Sequence, residues 1–229
     1  MDTNACEKTL GVTFISKDLL RTAFTHRSYL NENRKLKLEH NERLEFLGDA
    51  VLELIVTEFL FAKYPTKPEG ELTAFRSALV NANILSDLAM KLGMNNFLLL
   101  SRGEAKDTGR ARQYILANTF EAVVGAIFLD QGYVETQKFI ERVLLPATDE
   151  IVEQKHWLDS KSHFQEKAQE IANITPSYKT LGEIGPDHDK KFTVGVFLGS
   201  EKVAEGEGQS KQDAEQKAAE AGLKSKNWN

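Results

Sequence analysis

The stretch His40-Asn41-Glu42-Arg43-Leu44-Glu45-Phe46-Leu47-Gly48-Asp49-Ala50-Val51-Leu52-Glu53-Leu54 limits what this chain can become more than any other. At about 100° per residue, Glu42, Glu45, Asp49 and Glu53 fall within one helical arc of roughly 80°, while Leu44, Leu47, Ala50, Val51, Leu52 and Leu54 cover most of the rest. A helix apolar on nearly every side is normally buried. Ionised carboxylates beside such a core are costly unless cations or donors compensate them. Two uses are open at this point. The stripe is either a charged edge facing water, with Arg43 or another helix supplying ion pairs, or an oxygen-ligand site for a hard cation such as Mg²⁺ or Mn²⁺.

Further along, Asn118, Glu121 and Gly125 repeat the i, i+3, i+7 spacing of Glu42, Glu45 and Asp49. Gly125, with Ala122 and Ala126 beside it, allows another backbone to come close. The two helices are therefore expected to pack together with their polar arcs sharing one space.

Composition removes several alternatives. The single cysteine, Cys6, rules out a disulfide framework or a cysteine zinc site and fits a reducing cytoplasm. No two of His26, His40, His156, His163 and His188 stand at an HExxH spacing. No Gly-x-Ser-x-Gly elbow or Walker loop occurs, and Gly206-Glu207-Gly208-Gln209-Ser210-Lys211 lacks the required Gly-Lys pair. Apolar runs are too short to span a bilayer, and the first residues lack a basic lead and an apolar core, so neither membrane insertion nor secretion is expected. The net charge is −5, and residues 160–229 hold ten lysines against eleven acidic side chains, so any nucleic-acid binding must rest on local patches.

Taken in order, Ser16 caps a short helix from Lys17, and His26 is expected to be a structural hydrogen-bonder. The carboxylate helix runs from about Asn41 to Lys63 and stops before Pro65. Thr66 to Gly70 reads as a loop, Glu71 to Leu92 as one helix ended by Gly93, and Ser101 to Arg110 as a glycine-bearing charged loop. Helices follow over about Arg112 to Leu129 and Val134 to Val152. The expected fold is an all-α domain over residues 1–150, a linker over 151–159 and a small α+β domain over 160–229. In the last, Lys161 to Ala172 and Ser210 to Leu223 read as helices around strands at Ser177 to Glu183, Lys191 to Leu198 and Glu201 to Gly208, giving the order α-β-β-β-α. Gly199-Ser200 supplies a hairpin turn.

The run Asn41 to Leu52 closely resembles the signature of the ribonuclease III family, and Asn118-Thr119-Phe120-Glu121-Ala122 matches its second motif in spacing. The last domain resembles the double-stranded RNA-binding domain through Gln165-Glu166, Gln169, Gly185-Pro186-Asp187-His188 and Ser210-Lys211. The resemblance implies a Mg²⁺-dependent endoribonuclease, with Mn²⁺ able to substitute and no organic cofactor. It would hydrolyse double-stranded RNA to 5′-phosphate and 3′-hydroxyl ends in the processing of rRNA precursors and mRNA. Glu45, Asp49, Asn118 and Glu121 would hold metal, with Asp49 and Glu121 catalytic and Glu42 and Glu69 an outer acidic pair. Gln165, Glu166, Gln169, His188, Lys211 and Lys217 would meet RNA, and Phe46 would lie in the interface of a homodimer. Asn118 stands where the family usually has aspartate, which leaves open a catalytically impaired RNA-binding protein of the same fold.

Overall fold

The computed structural model describes residues 1–153, 160–186 and 190–228. The chain divides into two units, Met1–Trp157 and Leu158–Asn229. The first is helical. It comprises α1 (Thr3–Leu10), α2 (Lys17–Ala23), α3 (Arg27–Glu32), α4 (Glu42–Lys63), α5 (Glu69–Leu79), α6 (Ala82–Lys91), α7 (Arg110–Gln131), α8 (Tyr133–Val143) and α9 (Thr148–Glu153), with short 3₁₀ turns between some of them.

The long helices α4 and α7 form the axis of this unit. Leu44, Val51, Leu52, Ile55, Val56 and Leu60 of α4 and Leu116, Phe120, Val123, Val124 and Ile127 of α7 are buried in one core. Each such side chain contributes roughly 1.5–3 kcal/mol by leaving water. The two backbones touch at glycine. A Cβ on Gly48 would lie 2.6 Å from the Glu121 carbonyl carbon and 2.8 Å from Gly125 N, and one on Gly125 would lie 3.1 Å from Gly48 N. Gly125 was the visible half of this crossing, and Gly48 is its counterpart.

Three expectations about helices need correction. The segment from Glu71 to Leu92 is two helices, because Asn81 is extended (φ −76°, ψ 158°) and its side chain accepts from Asn83 N and Ile84 N, both at 3.1 Å. That is an N-cap, which ends one helix and starts another. Helix α5 also begins earlier, at Glu69, directly after Pro68 in an extended conformation. The segment from Val134 to Val152 breaks at Leu145–Ala147, where Pro146 cannot continue the α-helical ladder.

Two short helices went unread. In α1, Asp2 caps the start and Gly11 (φ +65°) the end. In α3, His26 Nδ1 accepts from Ser28 N at 3.3 Å, so His26 is a structural cap; burial lowers its pKa.

The second unit has α10 (Ser160–Lys167) extended by a π turn at Ala168–Ala172, then β1 (Ser177–Ile184), β2 (Lys191–Leu198), β3 (Glu201–Gly208) and α11 (Lys211–Lys226). The strands form one antiparallel sheet in the order β1-β2-β3. Gly199 (φ +61°) makes the two-residue turn between paired Leu198 and Glu201. Phe164, Ala168, Val196, Leu198, Ala218 and Ala219 form the core between the sheet and the helices. Here too glycine sets the distance, since a Cβ on Gly206 would lie 2.5 Å from the Ala214 carbonyl oxygen.

Candidate active site

Helix α4 is aimed by its first turn. Asn41 is buried, its N–H donates to the Thr25 carbonyl at 2.9 Å and its amide to the Ala23 carbonyl at 3.3 Å. Leu99 in turn bridges Phe24 and His26 through backbone hydrogen bonds at 2.9 and 3.1 Å. These ties hold α3 beside the start of α4, and Arg27 Nη1 lies 3.4 Å from Glu42 Oε1. His40 Nδ1 is 3.7 Å from the other Glu42 oxygen. Neither neighbour of Glu42 was foreseen; the only sequence signal was that a carboxylate row needs compensation.

Across the glycine crossing, Glu45 and Asp49 of α4 meet Asn118 and Glu121 of α7. Glu45, Asn118 and Glu121 are partly buried, and Asp49 is exposed. The Glu121 carboxyl is pushed up to about 8, first by burial and then by the charges of Asp49 and Glu45. Glu45 is also raised, by burial, Glu42 and Asp49, while a hydrogen bond from the Asn118 amide acts in the opposite direction. No cation is among the groups that shift either acid. The Asn118 amide thus favours the charged form of Glu45, and its oxygen is a potential donor atom for a cation.

The donor set is oxygen alone, which suits a hard divalent ion. Among the described residues, no three His, Cys, Asp or Glu side chains already stand as a closed metal-holding group. The fit lies in the chemistry and the charge: burial raises Glu45 and Glu121, the charges of Asp49 and Glu45 act on Glu121, and a cation would relieve both burial and repulsion.

The remaining candidate residues make other contacts, although the Glu42 charge also acts on Glu45. Glu69 begins α5, where its Oε1 accepts from Thr73 Oγ1 at 3.0 Å, and it is not among the charges acting on Glu45 or Glu121. Among the described residues, the interactions of Glu42 run to Arg27 and His40 rather than to Glu69. Phe46 points outward, 82% exposed, with Leu54 (57%) and Phe61 (73%) on the same face of α4. Glu53 and Glu58 are outside the cluster; Glu58 accepts from the Tyr133 hydroxyl.

In the second unit, Gln165, Glu166 and Gln169 are exposed on α10 and its π turn, and Gln169 Nε2 donates to Asn173 Oδ1 at 2.6 Å. Lys211 is the first residue of α11, after Ser210, whose hydroxyl accepts from Asp213 N at 3.1 Å. Lys217 lies on the same helix, 3.1 Å from Asp213. His188 lies outside the described residues.

The chain thus joins a helical unit carrying acids where two helices cross to a three-stranded unit with helices packed on its sheet. Residues 16–148 match the family model described as Ribonuclease-III-like, and residues 160–226 match the double-stranded RNA binding motif. The chain is 44% identical to Ribonuclease 3 of Enterococcus faecalis over 223 residues, covering 97% of this chain and 96% of that one. It is 45% identical to Ribonuclease 3 of Lactococcus lactis subsp. lactis over 219 residues, 95% of this chain and 94% of the other. The nuclease domain of ribonuclease III from Campylobacter jejuni superposes with a TM-score of 0.56 at 38% identity, over 62% of this chain and 96% of that one. That structure is described for flexibility in a region involved in dimer formation. The chain belongs to the ribonuclease III family.

Proposed function

We propose that this protein is an endoribonuclease that hydrolyses phosphodiester bonds in double-stranded RNA, leaving 5′-phosphate and 3′-hydroxyl ends. The observation that carries the reading is the meeting of Glu45, Asp49, Asn118 and Glu121 where α4 and α7 cross at Gly48 and Gly125. Family membership supports it, as does the RNA-binding motif at residues 160–226.

Glu45, Asp49 and Glu121, with the amide oxygen of Asn118, would hold Mg²⁺, and Mn²⁺ would substitute. A divalent ion bound there supplies an activated water and positive charge beside the attacked phosphate. The chain's own residues set the stage. The close crossing sets the spacing of the carboxylates, burial of Glu121 keeps its charge in need of a cation, and the Asn118 amide favours the charged form of Glu45. Glu42, kept near Arg27 and His40, and Glu69 would act at the rim of the site. Gln165, Glu166, Gln169 and His188 would read the minor groove, where A-form RNA exposes its 2′-hydroxyls, and Lys211 and Lys217 would meet phosphates.

Cutting both strands calls for two sites, which a two-fold homodimer supplies. The outward Phe46, Leu54 and Phe61 make an apolar face suited to such an interface. No described helix is long and apolar enough to cross a membrane. The protein would work in the cytoplasm on rRNA precursors and mRNA.

The test is incubation with a long RNA duplex with and without Mg²⁺, beside light scattering of the wild type and Phe46→Glu. Cleavage only with the metal, a wild-type dimer and a variant shifted toward monomer are expected. A monomeric wild type that cuts both strands equally well would sink the dimer reading. Absence of cleavage with either Mg²⁺ or Mn²⁺ would sink the enzymatic one.

A further inference from the structure

On the second unit, Glu183 of β1 lies between two lysines from different elements. Its Oε2 is 3.4 Å from Lys190 Nζ, just before β2, and its Oε1 is 3.4 Å from Lys211 Nζ at the start of α11. The ammonium of Lys211 also stands over the Phe192 ring, 5.6 Å from its centre, which restrains it from another side. One carboxylate therefore bridges two cations at a place where the N-terminus of a sixteen-residue helix already favours an anion. A phosphodiester offers the same feature, two anionic oxygens on one centre.

We propose that Glu183 competes with duplex phosphates for Lys190 and Lys211, so that this unit carries its own brake on RNA binding. The proposal rests on the RNA-binding reading above and adds a residue that works against it. Three features favour competition over simple scaffolding. Glu183, Lys190 and Lys211 are all solvent-accessible, so a phosphate can reach them. The ion pairs are long and water-screened, which makes them readily displaced. Among the described residues, the polar partners given for Glu183 are these two side chains, whereas Asp213, beside Lys217, also accepts Gln209 N at 3.1 Å and so has a part in the backbone structure. The two lysines hold the Glu183 carboxyl below its ordinary range, Lys190 more than Lys211, so it stays ionised wherever RNA is bound.

Binding of RNA must then replace one anion by another rather than fill a bare cationic pair. Removing the carboxylate should strengthen binding and expose Lys211 to bulk counterions, whose release steepens the dependence on salt. The experiment measures fluorescence anisotropy of a labelled RNA duplex with the full chain in EDTA, from 25 to 300 mM KCl. These concentrations bracket about one decade, enough to read a slope. Glu183→Gln is expected to bind about three- to tenfold tighter near 100 mM, with a log–log slope steeper by about one.

Glu220→Gln, which removes the same charge beside Lys224, should change neither much, and Lys211→Gln should erase most of the gain from Glu183→Gln. Equal or weaker binding by a folded Glu183→Gln, or an equal gain from Glu220→Gln, overturns the proposal. Circular dichroism melting of each variant establishes that the protein compared is folded. Failure of the wild type and both single-acid variants to bind even at 25 mM would remove the RNA-binding reading itself, and the brake with it.

Discussion

The two units treat charge in opposite ways. Where α4 crosses α7, Glu45, Asp49 and Glu121 share a space with one amide and no cation among the groups that shift them, and burial raises Glu121 to about 8. On the second unit the candidate phosphate-binding lysines already have carboxylates: Lys211 and Lys190 share Glu183, and Lys217 has Asp213. The first surface is left with an excess of negative charge. On the second, each of these cations already faces a carboxylate. On the proposed reading, the first surface would gain by adding a cation and the second by exchanging one anion for another; both are built on helices set close to a partner by glycine.

The largest effect should come from taking a ligand away from the first surface. Glu121→Ala is expected to lower cleavage by about 10³-fold, comparable to losing one strong electrostatic stabiliser of a transition state, while duplex binding changes little. Single-turnover cleavage and anisotropy on the same protein separate the two readouts. If the variant cut like wild type at saturating Mg²⁺, the two-helix site would be wrong.

Next in size are the crossings themselves. Gly48→Ala puts a methyl group against the Glu121 carbonyl, with backbone rather than a flexible side chain in the way. We expect a loss of about 3 kcal/mol or more, read as a lower melting temperature of the helical unit together with loss of cleavage. Gly206→Ala, which meets the Ala214 carbonyl, should instead lower the melting of the second unit and weaken RNA binding. A Gly48→Ala protein that melts and cuts normally would show that the helices have room to separate.

The pH response probes the same charge excess more gently. Without divalent ions, the folded-state pKa of Glu121 is above its ordinary value, so its contribution to stability is complete below about 4.5 and is lost as pH rises through about 8. Allowing for screening at a partly exposed site, the loss is on the order of 2 kcal/mol. Metal-free melting temperatures should fall over that range, Glu121→Gln should flatten the profile, and Mg²⁺ should oppose the fall. An equally steep decline in Glu121→Gln would place its origin elsewhere.

Much of this arrangement was legible because helical periodicity and glycine are local signals. The range of α4, the spacing on α7 and the need for close approach at Gly125 all come from residues near one another in sequence. The strands β2 and β3, joined at the Gly199-Ser200 turn, could also be read directly. The failures came from caps and from tertiary partners. Asn81 looked like one polar position on a continuing helix, yet its side chain starts a new one. Pro146 was passed over in a periodic stretch. Arg27 reaches Glu42 because the Phe24–Leu99 backbone ties set α3 in place, and Glu183 meets Lys190 across the β1–β2 pairing and Lys211 through the placing of α11. No spacing rule carries such information.

The smallest predicted effect falls on Asn118, where the family usually has an acid. Its amide favours the charged form of Glu45, while aspartate there would remove that effect and add a fourth negative charge. In metal-free protein Asn118→Asp should therefore raise the electrostatic strain and lower the melting temperature slightly. With metal present the added charge works the other way, since hard-ion affinity grows with the number of carboxylates in the site. The Mg²⁺ titration of cleavage should shift to concentrations lower by roughly tenfold, in the range by which residues orienting a metal site change affinity. The rate at saturating metal should change less, because the extra charge also repels the phosphate when the site is underfilled. Both arms use one duplex and one protein preparation. Wild type inactive at every Mg²⁺ and Mn²⁺ concentration, with activity restored in Asn118→Asp, would mean that asparagine has turned the natural chain into a duplex-RNA binder; a leftward shift between two active proteins would mean that it only sets how much metal the enzyme needs.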